Sequence, residues 1–136
     1  MNPFQNLIVD CLINTKHVES AAVLVAHSGS VAAASPGLRV RPRDAQALTG
    51  AFRRLAAVRE RGLERGLSGS FSFQEEGFGC VRADRISIYC KRGGRGLLLV
   101  RTGLFIIAAT YSEDMLPGVC VEAVEALAEY LRQKGK

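Results

Sequence analysis

The chain has 136 residues and a formal net charge of +5 at pH 7. This length is typical of one domain that buries its own core, so we expect a single domain over residues 1–136. No apolar run reaches the roughly 18 residues of a membrane span, and the N-terminus lacks a secretory pattern, so we expect a cytoplasmic protein. The four cysteines lie far apart in the sequence, which predicts reduced thiols and no metal or other cofactor.

Hydrophobic periodicity predicts helices and strands in turn along the first half of the chain. Residues 3–13 carry apolar side chains at helical spacing and predict a helix. The runs AAVLVAH and VAAAS, separated by the turn-like SGS, predict a β-hairpin. From Pro42 onward, the run AQALTGAFRRLAAV predicts a second helix, which two RGL repeats at Arg61 and Arg65 interrupt.

The second half of the chain changes to short β-type runs, followed by one helix. The runs are SFSF, FGCVRA, RISIYCK, GLLLVR and LFIIAATY. Turns are predicted between them at Glu76–Gly77, Ala83–Asp84, Arg92–Gly96 and Thr102–Gly103. An amphipathic helix is predicted from about Gly118 to Gln133. Short connections make neighbouring strands antiparallel, so we expect an α+β fold with a single central antiparallel sheet flanked by the N- and C-terminal helices.

The positive charge is concentrated in one segment. Eight arginines and three acidic residues lie between Leu38 and Gly66, so this segment carries the whole net charge of +5. A localised positive field favours an acidic partner: lipid headgroups, nucleic acid or an acidic protein surface. Single-strand nucleic-acid binders interleave basic residues with exposed rings, whereas the only aromatic residue here, Phe52, is spaced as a core residue, so we expect no nucleic-acid binding.

No arrangement of residues predicts catalysis. The stretch KRGGRG, residues 91–96, resembles a phosphate-binding loop in composition only, because a strand and not a helix follows it. We therefore predict a hairpin turn there. The pair Glu75–Glu76 lies beside a turn, Ser28-Gly-Ser30 is not a nucleophile elbow, and Cys90 has no histidine near it in sequence. We expect the protein not to be an enzyme.

The second half of the chain resembles the profilins. TYSEDMLPGVC, followed by a helix that ends in EYLRQKG, is similar to the last loop and helix of that family. SVAAASPG is similar to the family's strand and turn S-V-W-A-x-x-P-G, and the basic glycine hairpin followed by VRT matches as well. The resemblance covers nearly the whole chain, apart from residues around 62–70. TKHVESAA, CVRAD and VCVEAVE are most similar to a divergent vertebrate subtype. The resemblance implies a monomeric cytoskeletal protein with three ligands: monomeric actin, proline-rich segments and phosphoinositides.

The resemblance places a proline-binding groove between the terminal helices. Its positions are Phe4, Leu7, Ala32, Tyr130 and Lys136. The family has tryptophan at the first and third positions and an aromatic residue at the second, whereas this chain contains no tryptophan. Because aromatic anchors dominate such interfaces at about 2 kcal/mol or more each, we expect proline-rich binding to be lost.

The resemblance also implies an actin-binding face on the last helix and the strands before it. Its positions here are Arg82, Lys91, Gly118, Val121, Glu122 and Ala126. Three of them depart from the family pattern: valine replaces a polar asparagine, glutamate replaces a lysine, and alanine replaces an acidic residue. A charge reversal brings like charges together across an interface, so we expect weakened or lost actin binding.

The basic residues that the implied lipid binding requires are retained. The candidates are Arg53, Arg54, Arg59, Arg61, Arg65, Lys91, Arg92 and Arg95. Clustered cations contribute about 1 kcal/mol each at an anionic membrane, and binding of this kind depends little on detailed geometry. We therefore expect binding to acidic phospholipids, namely phosphoinositides and phosphatidic acid. Two alternatives remain: an ordinary actin-monomer regulator with an altered proline site, and an adaptor that uses the arginine-rich segment against an acidic protein.

Overall fold

The computed structural model describes residues 3–61, 70–73 and 76–136, and within them only the backbone of 53–61, 70–73 and 76. The chain forms three α-helices and seven strands over these residues. The helices are α1 (Pro3–Leu7), α2 (Pro42–Arg61) and α3 (Pro117–Gln133). The strands are β1 (Ser20–Val25), β2 (Val31–Ala34), β3 (Ser70–Phe73), β4 (Glu76–Ala83), β5 (Ser87–Arg92), β6 (Arg95–Arg101) and β7 (Phe105–Tyr111).

The strands form one antiparallel sheet, as the sequence predicts. In the described part of the chain its order is β2-β1-β7-β6-β5-β4-β3. Consecutive strands from β3 to β7 are neighbours, because their connections are too short for any other arrangement. The hairpin β1–β2 joins the sheet through β1, which pairs with β7 from Ser20–Thr110 to Val25–Phe105.

Strand alternation gives the sheet two apolar faces, and helices cover both. The turn after α1 and the helix α3 pack on the face that carries Leu98 and Val100. Helix α2 packs on the opposite face, where Leu97 and Leu99 meet Leu48. Because side chains alternate between faces along β6, Leu97 and Leu99 supply one core and Leu98 and Val100 supply the other. The predicted packing of both terminal helices on the sheet is confirmed, and they share one face.

Two local predictions need correction. The N-terminal segment is not one α-helix over residues 3–13, because α1 continues as a π-helical turn, Ile8–Leu12, and a 3₁₀ turn, Ile13–Thr15. The predicted turn at Glu76–Gly77 is wrong, since both residues lie in β4 and pair with Phe73 and Ser72. Strand pairing there continues to the end of β3, and residues 74–75 are outside the described residues.

The glycine-rich stretch forms the predicted hairpin turn. Arg92 pairs with Arg95, which leaves Gly93 and Gly94 as a two-residue loop between β5 and β6. Gly93 has φ +61°, a conformation that favours glycine and that two-residue hairpin loops require. The loop joins two strands, so its charged residues act as side chains on a turn.

Burial of two thiols makes the stability of the fold sensitive to alkaline pH. Desolvation raises the pKa of Cys90 and of Cys120 from 9.0 to about 12. Since the folded-state pKa lies above the unfolded one, the stabilisation is complete below about pH 9 and is lost as the pH rises toward 12. Each thiol should contribute a slope of up to about 1.4 kcal/mol per pH unit in that window.

We expect Cys120→Ala to flatten the alkaline loss of stability, measured as the free energy of unfolding in urea at a series of pH values above 9. Cys11→Ala, at the exposed cysteine, is the control and should retain most of the wild-type slope. An unchanged slope in Cys120→Ala would show that burial of this thiol does not cause the pH dependence.

Candidate functional site

The structure brings Phe4, Leu7 and Ala32 of the candidate proline groove onto one apolar cluster. All three are partly buried against the core beneath the terminal helices. The ring of Phe4 lies 4.7 Å, centroid to centroid, from that of Phe105 at an interplanar angle of 57°. Gln5 fixes α1 to β2 by donating a hydrogen bond of 2.7 Å to the carbonyl of Ala34. The helix therefore presents one aromatic ring at this site, which is already packed on a second ring.

Two lysines cover the aromatic rings of the groove. The Nζ of Lys136 lies 5.6 Å from the ring centroid of Phe4, and the Nζ of Lys134 lies 5.5 Å from that of Tyr130. Tyr130 is 45% exposed, so solvent and this ammonium group share access to its ring. The backbone oxygen of Lys136 accepts hydrogen bonds from the N–H of Leu104 (2.6 Å) and from Oγ1 of Thr102 (2.8 Å). These bonds hold the last residue beside Phe4.

The candidate actin face lies on β4, β5 and the first half of α3. The guanidinium of Arg82 lies 5.6 Å from the ring centroid of Tyr89, its cross-strand partner. Lys91 is two residues farther along β5, so it is on the same face as Tyr89. Asp84 pairs with Arg82 at 3.9 Å, a distance at which an exposed pair contributes little.

The start of α3 supplies the other candidate actin residues. Gly118, Glu122 and Ala126 are exposed, whereas Val121 is half-buried and packs against the core. The N–H of Leu116 donates to Nδ1 of His17 at 2.9 Å, which anchors the beginning of this helix. The exposed surface of α3 at this end therefore carries small residues, Gly118 and Ala126, on either side of the acidic Glu122.

A carboxylate also lies between the helix and the strand on this face. Ser87 at the start of β5 donates a hydrogen bond of 3.0 Å to Glu125 on α3. Burial raises the pKa of Tyr89, and the negative charge of Glu125 raises it further. Glu125 and Tyr89 were not among the residues predicted for this face, although strand alternation with Lys91 indicates the tyrosine.

The basic residues of the β5–β6 hairpin do not form one cluster. Lys91 and Arg92 point to opposite faces of the sheet, because they are adjacent in a strand. Arg92 donates a hydrogen bond of 3.2 Å to the carbonyl of Gly77. Arg95 forms an ion pair of 3.3 Å with Glu19, which offsets its charge.

The arginines of the second helix are placed only in part. Arg53, Arg54, Arg59 and Arg61 lie on α2, and their side chains are outside the described residues, as is the whole of Arg65. Helix α2 covers the face of the sheet opposite α1 and α3. These arginines therefore belong to an element that is separated from the candidate groove and actin face by the sheet.

Lys134 is a further basic residue that the sequence analysis missed. It lies four residues after Tyr130 at the end of α3, and residues at this spacing are neighbours on a helix. That spacing was the signal that could have identified it. Among residues 3–61, 70–73 and 76–136, no group of three or more potential ligands could hold a metal ion. No helix in the same ranges is long and apolar enough to cross a membrane.

Comparison with known proteins identifies the family. The family model described as Profilin matches residues 2–136. The chain is 43% identical over 136 residues to profilin-4 of Bos taurus, with 99% of each sequence covered. The predicted similarity to the divergent vertebrate subtype is thereby confirmed, since profilin-4 is that subtype.

Solved structures agree with this assignment. Profilin IA of Acanthamoeba castellanii superposes with a TM-score of 0.83 at 33% identity, covering 98% of this chain and 99% of that one. A complex of LokiProfilin2 with rabbit actin contains the same fold, with a TM-score of 0.70 at 16% identity and 96% of each chain covered. The match over nearly the full length, in sequence and in structure, shows that this chain belongs to the profilin family of actin-regulating cytoskeletal proteins.

Proposed function

We propose that this chain is a single-domain, non-enzymatic profilin that acts at the cytoskeleton by binding acidic phospholipids. In this proposal, actin-monomer binding is weakened and binding of proline-rich segments is lost. The observation that carries the proposal is the charge distribution, because the net charge of +5 lies entirely between residues 38 and 66. Five of the arginines in that segment lie on α2, and four of them, Arg53, Arg54, Arg59 and Arg61, are in its second half.

The position of α2 supports this assignment. The helix occupies the face of the sheet that α1 and α3 leave open, so a membrane could approach it without contacting the groove or the actin face. Four or more clustered cations are enough to bind an anionic bilayer, at about 1 kcal/mol each. An arginine guanidinium also donates two hydrogen bonds to one phosphate, which favours phosphoinositide and phosphatidic acid headgroups.

We expect neutralisation of Arg53, Arg54, Arg59 and Arg61 to glutamine to reduce flotation with phosphoinositide liposomes more than neutralisation of Lys91, Arg92 and Arg95. The first set removes four charges from one helix. The second removes three, of which Arg95 is already paired with Glu19. The circular dichroism and the melting temperature of both variants are compared with the wild type, so that a loss of flotation is not the result of unfolding.

Equal flotation of the wild type and both variants at physiological salt would contradict the electrostatic proposal. If no form of the protein bound liposomes, the adaptor hypothesis, with an acidic protein against the arginine-rich segment, would become the better account.

We expect actin monomers to bind with a dissociation constant above about 10 μM. This corresponds to a binding free energy smaller in magnitude than about 7 kcal/mol. LokiProfilin2, which shares this fold, was solved in complex with rabbit actin. In this chain Glu122 and Ala126 alter the charge of the exposed helix surface, and Glu125 adds a carboxylate beside it. Titration of labelled monomeric actin measures the constant.

Glu122→Lys should strengthen that binding, whereas Glu129→Lys, on the same helix beside Arg132, is a charge-matched control that should not. Submicromolar binding by the wild type would show that the departures on this face are harmless and would favour an ordinary actin-monomer regulator.

A further inference from the structure

A surface at the end of α3 combines positive charge with exposed apolar side chains. We name it the C-terminal basic surface and define it by Arg101, Leu104, Tyr130, Lys134 and Lys136. Leu104 is 55% exposed and Tyr130 is 45% exposed, and the three cationic residues are exposed as well. The surface lies away from the arginines of α2, so the proposed lipid binding does not account for it.

Hydrogen bonds hold the members of this surface together. Leu104 donates its N–H to the backbone oxygen of Lys136, as described above, which joins the turn after β6 to the end of the chain. Arg132 donates from Nη2 to the carbonyl of Arg101 at 2.9 Å, which joins the last turn of α3 to the end of β6. The surface is therefore built on a fixed frame of strand ends and helix.

The three cations have no acidic partner within the described part of the chain. Arg132 is ion-paired with Glu129 at 3.4 Å, and no aspartate or glutamate side chain lies within ion-pair distance of Arg101, Lys134 or Lys136 there. Lys134 and Lys136 instead lie over the rings of Tyr130 and Phe4. An exposed cation–π contact contributes only about 0.5–1 kcal/mol, so an incoming carboxylate can recruit these ammonium groups at little cost.

We propose that the C-terminal basic surface binds a short acidic segment of a partner protein. Its carboxylates pair with Lys134, Lys136 and Arg101, and one aliphatic or aromatic side chain packs against Leu104 and Tyr130. The charge of the surface disfavours the neutral alternative, because a polyproline helix on these rings would displace the ammonium groups without offering them a carboxylate in return. An anionic membrane is a less favourable partner for this surface than an acidic peptide. The surface has three basic residues, whereas adsorption to such a membrane typically uses four or more.

The test is fluorescence anisotropy of a labelled decapeptide that contains glutamates around a central leucine. Controls are the same peptide with glutamine in place of glutamate, and a proline decamer. Of the three peptides, only the acidic one should bind at low salt. The double variant Lys134→Gln with Lys136→Gln should bind it at least about fivefold more weakly than the wild type does. The variant Lys91→Gln with Arg92→Gln removes the same charge on the β5–β6 hairpin and should leave the affinity within about twofold.

Three results would overturn the proposal. These are no binding of the acidic peptide at millimolar concentration, equal loss of binding in the two double variants, and equal binding of the glutamine peptide. The double variant at Lys134 and Lys136 should also float with phosphoinositide liposomes as the wild type does. Loss of flotation with retained peptide binding would assign this surface to lipid instead.

Discussion

Replacing Gly96 by alanine should destabilise the protein by at least about 2–3 kcal/mol and should prevent folding in a marginally stable background. Gly96 on β6 is the cross-strand partner of Tyr111 on β7, and the tyrosine ring lies directly over it. A methyl group at Gly96 would overlap the ring and hydroxyl of Tyr111. Tyr111 is 3% exposed, so its ring cannot move aside into the solvent. Overpacking a well-packed site costs about 1–3 kcal/mol and occasionally more, and an overlap with a buried ring lies at the upper end of that range.

Urea unfolding of three variants isolates this contact. Gly118→Ala is the control, because apart from its chain neighbours and its own helix backbone no described atom lies within 4 Å of the added methyl group, and its unfolding free energy should stay within about 1 kcal/mol of the wild type. In a Tyr111→Ala background the overlap is absent, so Gly96→Ala should then cost under about 1 kcal/mol. If Gly96→Ala were strongly destabilising in both the wild-type and the Tyr111→Ala background, the loss of stability would arise from the backbone of β6 and not from overlap with the Tyr111 ring.

A proline decamer should show no saturable binding to the wild-type chain at millimolar concentration. The candidate groove offers one phenylalanine ring and one tyrosine ring, each covered by a lysine. Leu7 and Ala32 lie in the positions where further rings are required, and neither supplies one. Loss of two aromatic anchors at about 2 kcal/mol each weakens binding roughly a thousandfold, and retention of the wild type on polyproline resin would refute this prediction.

The candidate groove should regain part of its affinity for the proline decamer when aromatic rings are added and the ammonium group near Phe4 is removed. Leu7→Tyr with Ala32→Trp adds the rings, and Lys136→Gln removes the ammonium group from Phe4. We expect the triple variant to bind the decamer more tightly than the double variant, by isothermal titration. Lys91→Gln in place of Lys136→Gln is the charge-matched control and should add nothing. A triple variant no better than the double would show that Lys136 does not obstruct the ring.

Most of the fold follows from local patterns in the sequence. The strands β5 to β7 were predicted within about two residues, because their apolar runs are bounded by glycine or by polar turns. The hairpin glycines were correctly interpreted as a turn, since a strand follows them. The predicted turn at Glu76–Gly77 was wrong because glycine also occurs within strands. Pairing with the neighbouring strand β3, and not the local residue type, determines the structure at this position.

The arrangement of charges could not be predicted from the sequence, because it depends on pairings between distant segments. Arg95 and Glu19 form an ion pair only in the folded sheet, where β1 and β6 lie on either side of β7. Lys136 reaches Phe4 only when the two ends of the chain meet on one face of the sheet. The family resemblance predicts Lys136 as a position of the candidate groove, but the sequence does not show that its ammonium group lies near the ring of Phe4.

Flotation of the wild-type chain with liposomes at increasing salt tests the central proposal most directly. The protein should float with vesicles that contain phosphoinositide at physiological ionic strength, where exposed charges interact over about 8 Å, and should not float with neutral vesicles. Flotation should fall steeply as salt is raised toward about 1 M, where the screening length shrinks to about 3 Å. Equal flotation with neutral vesicles, or flotation that does not change with salt, would contradict binding through the arginines of α2.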